Sequence, residues 1–354
     1  MTRPRLRDLG ISVGRLEPGD GNAITDVPGV LVGHATVIAD EPRTARTGVT
    51  MIVPRGGDIW ENYAFCGVHV FNGNGEMTGI PWIEESGLLG SAIGLTNTHQ
   101  VGIVRDELVR YSVEHGHVDA FILPVVAETW DGHLNDIDAF HVTAKHARAA
   151  LTSAAPGAVA EGGVGGGTGM VCHEFKGGIG TSSRVAESPA GTWTVGALVQ
   201  ANYGSRQDLR IDGVPVGREI GLDEVPGPGG KDAKGSIIVV LATDAPLLPV
   251  QCKRLARRAT VGLARTGGYG HDGSGDLFLA FATGNEVPAG GDGTWPLAMV
   301  RHAHMDPLFL AASEAVEEAI LNALCRAETM DGHLGVAHAI PVERLAEVMA
   351  RYGR

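Results

Sequence analysis

"KDAKGSIIVVLATDAPLLP" (Lys231–Pro249) joins a polar, glycine-bearing approach to an unbroken apolar run. The run Ser236–Thr243 is rich in β-branched side chains and is bounded by Gly235 and by Asp244–Pro246. That pattern predicts a short strand buried on both faces. Helical sequence follows it, so the strand belongs to a layered α/β or α+β body.

Working outward, strands are predicted at "AITDVPGVLVGHATVI" and "TGVTMIVP" within 22–55, and at 91–104, 119–129, 192–202 and 275–283. "RDELVRYSVEHG" has helical composition. A helix is predicted over 135–155, where Ile137, Phe140, Ala144, Ala147 and Leu151 recur at spacings of three and four. Another opens at Asp244 as N-cap, a third at Asp306 with Pro307 in its first turn, and a last covers 341–353. The Pro/Gly/charge-rich stretch 212–235 reads as a linker. No internal repeat is visible.

Composition narrows the function. The chain has 354 residues, 44% apolar and 19% charged, as a globular protein does. A net charge of −13 with no basic stripe argues against nucleic-acid binding. No apolar run approaches a membrane span, and the basic N-terminus lacks a signal-peptide core, so a cytoplasmic location is expected. Cys66, Cys172, Cys252 and Cys325 are scattered, consistent with reduced, buried thiols.

Several segments carry candidate chemistry. Gly-Ser occurs four times, and only Gly235-Ser236 opens an apolar strand after a polar linker. Such a junction is either an ordinary loop-to-strand step or a point of chain cleavage. In the second case Ser236 becomes a new N-terminus, whose α-amine titrates near 7.7–8.0 and can take the hydroxyl proton. "VVAETWDGHLND" brings Glu128, Asp131 and Asp136 to a strand end beside Trp130 and His133. A carboxylate next to an aromatic ring suits an ammonium group, and a solvated acidic turn is the alternative. "GGVGGGTGM" (162–170) lacks the Lys-Ser/Thr pair of a phosphate loop, although Lys176 lies further on, and close backbone packing explains it as well. Asn202, ending "ALVQAN", is placed to donate to an oxyanion or to start a turn. "GYGHDGSGDLFLAF" sets His271, Asp272, Ser274 and Asp276 before a strand, without the order of a metal motif. No metal or other cofactor is expected.

Taken together, "RPRLRDLGISVG", "NAITDVPGVLVGH", "RTGVTMIVP", "FNGNGEMTG", "GLLGSAIGLTNTHQVGIVRD", "VVAETWDG", "EGGVGGGTGMVCHEFKGGIGTSSR", "LVQANYG", "GSIIVVLATDAPLLP" and "RLARRATVGLARTGG" resemble, in order and over essentially the whole chain, the DmpA-like family. These are the L-aminopeptidase/D-Ala-esterase-amidases and β-peptidyl aminopeptidases. The resemblance implies an α+β fold, a four-layer αββα sandwich like that of N-terminal-nucleophile hydrolases with different connectivity. It implies one domain, 1–354, cut by autoproteolysis between Gly235 and Ser236 into an α chain 1–235 and a β chain 236–354. Ser236 would be the nucleophile, Asn202 an oxyanion donor, Glu128 the ammonium partner, and Ser274 with Asp276 a supporting polar pair. Substrates would be short peptides, amides or esters with a free amino group, and the assembly a homo-oligomer, a tetramer of αβ heterodimers. Trp130 stands where some members have Tyr, and Asp276 where some have Glu. Trp130 would then shape the pocket wall. An acyltransferase or specialised amide hydrolase on the same scaffold is the alternative, and a non-catalytic binding protein a weaker one.

Overall fold

The computed structural model describes residues 3–117, 121–229 and 235–354. The strands in chain order are β1 (Leu31–Ala39), β2 (Ala45–Val53), β3 (Ala64–Gly73), β4 (Leu88–Leu89), β5 (Ile93–Asn97) and β6 (Val125–Thr129). There follow β7 (Val171–Cys172), β8 (Phe175–Lys176), β9 (Gly178–Ser188), β10 (Gly191–Asn202), β11 (Ser236–Thr243) and β12 (Gly275–Ala282). The helices that matter to the layers are α1 (Ile80–Ser86), α2 (Val101–Glu114), α3 (Ala144–Thr152), α4 (Val216–Glu219), α5 (Pro249–Ala256), α6 (Ala259–Arg265), α7 (Asp306–Arg326) and α8 (Val342–Arg351).

Two sheets form the centre. One has the order β1-β2-β5-β6 and the other β4-β3-β12-β11-β10-β9. β11 runs antiparallel to β10 and parallel to β12, so it is a central strand. Its side chains divide by parity, as a strand's must. Ile238, Val240 and Ala242 enter the core shared with β2, β5, β6, α2 and α3. Ile237, Val239 and Leu241 enter the core shared with α5, α6, α7 and α8. Both faces are covered, which explains a run with no polar alternation. Helices therefore lie outside each of two facing sheets, the four-layer arrangement expected. No helix among the described residues is long and apolar enough to cross a membrane.

Four expectations need correction. The helix foreseen over 135–155 is only Ala144–Thr152. Its first part is pulled out of helical geometry: Asp136 pairs with Arg43, and Phe140 takes a left-handed φ of 53°. Asp244 does not cap a helix; its Oδ1 accepts from Thr194 N at 2.8 Å, and α5 begins only at Pro249. The strand foreseen over 91–104 ends at Asn97, because the Asn97 carboxamide accepts from His99 N and Gln100 N and turns the chain into α2. The strand foreseen over 119–129 is Val125–Thr129; residues 119 and 120 lie outside the described residues.

The stretch 212–235 is more than a linker where it is described. Val214, Val216 and Ile220 are buried in the core, and α4 interrupts it. The Arg206 guanidinium gathers the carbonyls of Ile220, Gly221 and Val225 and stacks on the Phe175 ring at 3.4 Å. Residues 230–234 lie outside the described residues.

Candidate active site

The register of β11 assembles the site. Ser236, its first residue, pairs with Asn202 at the end of β10. Ile237 pairs with Asp276 on β12, which puts Gly275 beside Ser236. Gly275 N donates to Ser236 Oγ at 2.9 Å. The loop before β12 is closed by Ser274 N donating to His271 O at 2.8 Å and by Asn74 Nδ2 donating to Gly273 O at 2.9 Å. It presents the Ser274 hydroxyl 2.5 Å from Gly235 O and 2.6 Å from Asp276 Oδ1. Ser236, Ser274 and Asp276 are all buried. Burial raises the Asp276 carboxyl above its usual value, opposed by hydrogen bonds from Ser274 and the Ile237 backbone.

Asn202 stands on the Gly235–Ser236 link. Its Oδ1 accepts from Val171 N at 2.8 Å, and its Nδ2 donates to Trp130 O at 2.9 Å. One Nδ2 hydrogen is thereby left over. A Cβ on residue 235 would lie 1.6 Å from Asn202 O and 2.8 Å from Nδ2, so only glycine fits there. Asn202 thus closes on the junction with its orientation already fixed.

Glu128 reaches the site from the other sheet. It lies on β6 and is 3% exposed. Its Oε1 accepts from Glu76 N at 2.9 Å, and its Oε2 from the Thr98 hydroxyl. Burial raises its carboxyl above the ordinary value, with both hydrogen bonds acting the other way. Glycines bring it close: a Cβ at Gly75 would lie 3.2 Å from Glu128 Oε1 and 3.1 Å from Gly275 Cα. Gly75 thus packs between the Glu128 carboxylate and Gly275, whose N–H holds Ser236 Oγ.

The other acidic residues of that segment do not join the site. Asp131 is fully buried beside Asn135, Thr47 and Asn97, and burial raises it to about 6. Asp136 is spent on Arg43. The Trp130 main chain touches the site through Asn202, while its indole is 44% exposed and covers Gly132, where a Cβ would lie 2.4 Å from the ring.

Sequence reasoning missed the groups that hold these side chains. Thr98, Glu76 N–H, Gly275 N–H and Val171 N–H carry no motif of their own. Lys176 was visible only as a lysine after the glycine run. It is wholly buried, and its Nζ donates to Gly177 O at 2.8 Å and Gly167 O at 3.3 Å. No carboxylate among the described residues pairs with it, and burial pulls its ammonium down to about 7. Lys176 lies opposite Val171 in the β7–β8 pair, so it braces the strand whose N–H fixes Asn202.

The model of peptidase family S58 matches residues 22–337. The beta-peptidyl aminopeptidase BapA of Sphingosinicella microcystinivorans is 44% identical over 99% of this chain and 93% of its own. A beta-aminopeptidase structure from Burkholderia sp. superposes with a TM-score of 0.94 at 53% identity, covering 99% of both chains. The L-aminopeptidase D-Ala-esterase/amidase of Ochrobactrum anthropi, described as a prototype serine aminopeptidase and a variant of the Ntn hydrolase fold, superposes at 0.92 with 45% identity and 99% coverage of both. Facing sheets between helices, with a serine leading a central strand, are thus the fold of an N-terminal-nucleophile hydrolase variant. The chain belongs to peptidase family S58.

Proposed function

We propose that this serine aminopeptidase/amidase cleaves itself between Gly235 and Ser236 and then releases N-terminal residues from short peptides, amides and esters through an acyl-enzyme on Ser236. The observation that carries the reading is the junction itself. Ser236 Oγ is held by Gly275 N–H, while the Gly235 carbonyl oxygen is held by Ser274 and the Gly235 Cα packs tightly against Asn202. Nucleophile and carbonyl are thus positioned on adjacent residues, as an N-to-O acyl shift requires.

The shift moves the Gly235 acyl group from nitrogen to Oγ and so frees the Ser236 amine, and hydrolysis of the ester then releases the Gly235 carboxylate and restores the Ser236 hydroxyl. The products, 1–235 and 236–354, stay together as one domain, since β11 lies between β10 and β12. In turnover the α-amine takes the hydroxyl proton, and Oγ attacks the substrate carbonyl. The free Asn202 Nδ2 hydrogen meets the oxyanion. The buried Glu128 carboxylate binds the substrate ammonium, which selects for a free N-terminus. The Trp130 indole borders the entrance. Family relatives named for β-peptidyl and for L- and D-aminoacyl substrates share this amine-bearing feature. The processed heterodimers assemble as a homo-oligomer, a tetramer by family resemblance.

Mass spectrometry of the purified protein tests the reading, with Ser236→Ala alongside. Two fragments meeting at 235/236, and an uncut, inactive variant, are expected. An intact chain together with full activity in Ser236→Ala overturns it.

A further inference from the structure

One bond decides which end of the Asn202 carboxamide faces the junction. Its Oδ1 accepts from Val171 N at 2.8 Å, which leaves the N–H end for the reacting carbonyl. Turned over, the same side chain would aim a lone pair at the oxyanion and repel it. Val171 lies in the β7–β8 hairpin, where it is opposite Lys176 and Cys172 is opposite Phe175. Each strand has only two residues. The turn between them is His173-Glu174, with φ of 48° and 59°. Hairpin turns with positive φ at both positions favour Asn and Gly, and neither is present. A hairpin this short, closed by a strained turn, does not hold itself.

Arg206 holds it. The side chain is buried, with Nε donating to His173 O at 3.1 Å and Nη2 to Glu174 O at 2.7 Å, the two carbonyls of the strained turn. The guanidinium stacks on the ring of Phe175, the residue after the turn, at 3.4 Å. Nη1 lies 2.9–3.3 Å from the carbonyls of Ile220, Gly221 and Val225, which pins the far side of the fork. Arg206 N donates to Glu174 Oε2 at 2.6 Å. The chain from Asn202 to Arg206 is zipped to the same hairpin. His173 N donates to Tyr203 O at 2.6 Å, and His173 Nδ1 to Ser205 O at 3.0 Å. Gly204 permits this, since a Cβ there would lie 2.6 Å from the His173 ring.

We infer that Arg206 is a positioning residue for turnover: by fixing the His173-Glu174 turn it sets the β7–β8 hairpin and, through Val171 N–H, the orientation of the Asn202 amide. The inference rests on Asn202 being the oxyanion donor. A side chain that touches no reacting atom then controls kcat. A planar fork of five donors reaches carbonyls on two sides at once, whereas the three donors of lysine radiate from one atom. Glu128, held by Thr98 and Glu76 N–H, takes no part in this network, so binding of the substrate ammonium is untouched.

The test compares Arg206→Met and Arg206→Lys with the parent. Hydrogen exchange is resolved to single amides, and p-nitroanilide kinetics are referred to the amount of cut chain. The Val171 amide is expected to exchange roughly tenfold faster or more while the amides of α7 keep the parental rate. Removing an oxyanion donor costs about 100- to 1,000-fold, and misorientation forfeits part of that, so kcat is expected to fall roughly tenfold or more with KM within about twofold. Val171 exchange at the parental rate in a folded variant overturns the inference. So does exchange that accelerates equally in α7, or a fall in kcat matched by a rise in KM, because either marks general loosening. Faster Val171 exchange with parental kcat refutes Asn202 as oxyanion donor instead. Exchange is read on uncut as well as cut chain, so a variant that does not cleave itself is decided by Val171. If Arg206→Met does not fold, Arg206→Lys, which keeps the charge and the stem, decides.

Discussion

Replacing Lys176 by methionine should stabilise the protein at low pH by an amount that disappears as the pH rises. The Lys176 ammonium falls from 10.5 to about 7 on burial, with no carboxylate among the described residues to offset it. At about 1.4 kcal/mol per unit, the folded state bears a penalty on the order of 5 kcal/mol below pH 7, where the amine is charged in both states. Between pH 7 and 10.5 the unfolded chain binds the extra proton, so raising the pH favours the folded form. About 3 kcal/mol of the penalty has gone by pH 9.5. Methionine removes the penalty but also strips the Nζ donor from Gly177 O, at a cost of about 1–3 kcal/mol. Lys176→Met should therefore be more stable than its parent by about 2–4 kcal/mol at pH 6, and within about 1 kcal/mol of it at pH 9.5. Urea titration in the uncut Ser236→Ala background measures both, and pairing variant with parent cancels every other titration. By size the swing of about 3 kcal/mol is roughly 4 °C in Tm. A variant-minus-parent difference that stays constant from pH 6 to 9.5 refutes the claim that an uncompensated charge is buried here.

Two further changes probe the site. Glu128→Gln keeps the contacts with Thr98 and Glu76 N–H within reach but removes the charge, which is worth about 1.5–3 kcal/mol in a charge-assisted hydrogen bond. For substrates with a free amine kcat/KM should fall roughly 10- to 100-fold, mostly in KM, with the two product chains still formed. An unchanged KM would remove Glu128 from substrate binding. Gly235→Ala puts a Cβ 1.6 Å from Asn202 O, so the junction must shift by about 2 Å to restore ordinary contact. Since a misplacement of about 1 Å costs on the order of 100-fold, self-cleavage should slow at least that much. Pulse–chase gels at the wild-type rate would show the junction to be looser than its geometry.

What could be read from sequence divides along a physical line. β11 was legible because a strand buried on both faces leaves a run of apolar, β-branched residues that nothing else mimics at that length. The helix over 135–155 was over-read because periodicity records apolar spacing and not the side-chain bonds that compete with it. The Arg43–Asp136 pair and the turn at Phe140 are tertiary facts. The same holds for the site. Ser274 and Asp276 are two residues apart, and their proximity is local. Glu128 is linked to Ser236 only through Gly75 and Gly275, glycines that let backbones from facing sheets approach. Asp131 and Glu128 are alike in sequence, three residues apart in one acidic segment. What separates them is the set of partners: Asp131 is enclosed with Asn97, Thr47 and Asn135, and Glu128 accepts from Glu76 N and Thr98 against Gly75. Lys176 makes the point from the other side. Its chemistry depends on burial with no carboxylate partner among the described residues, and neither leaves a letter in the chain. The residues that a motif reveals are those that react; those that set their proton occupancy and orientation emerge only once strands are paired.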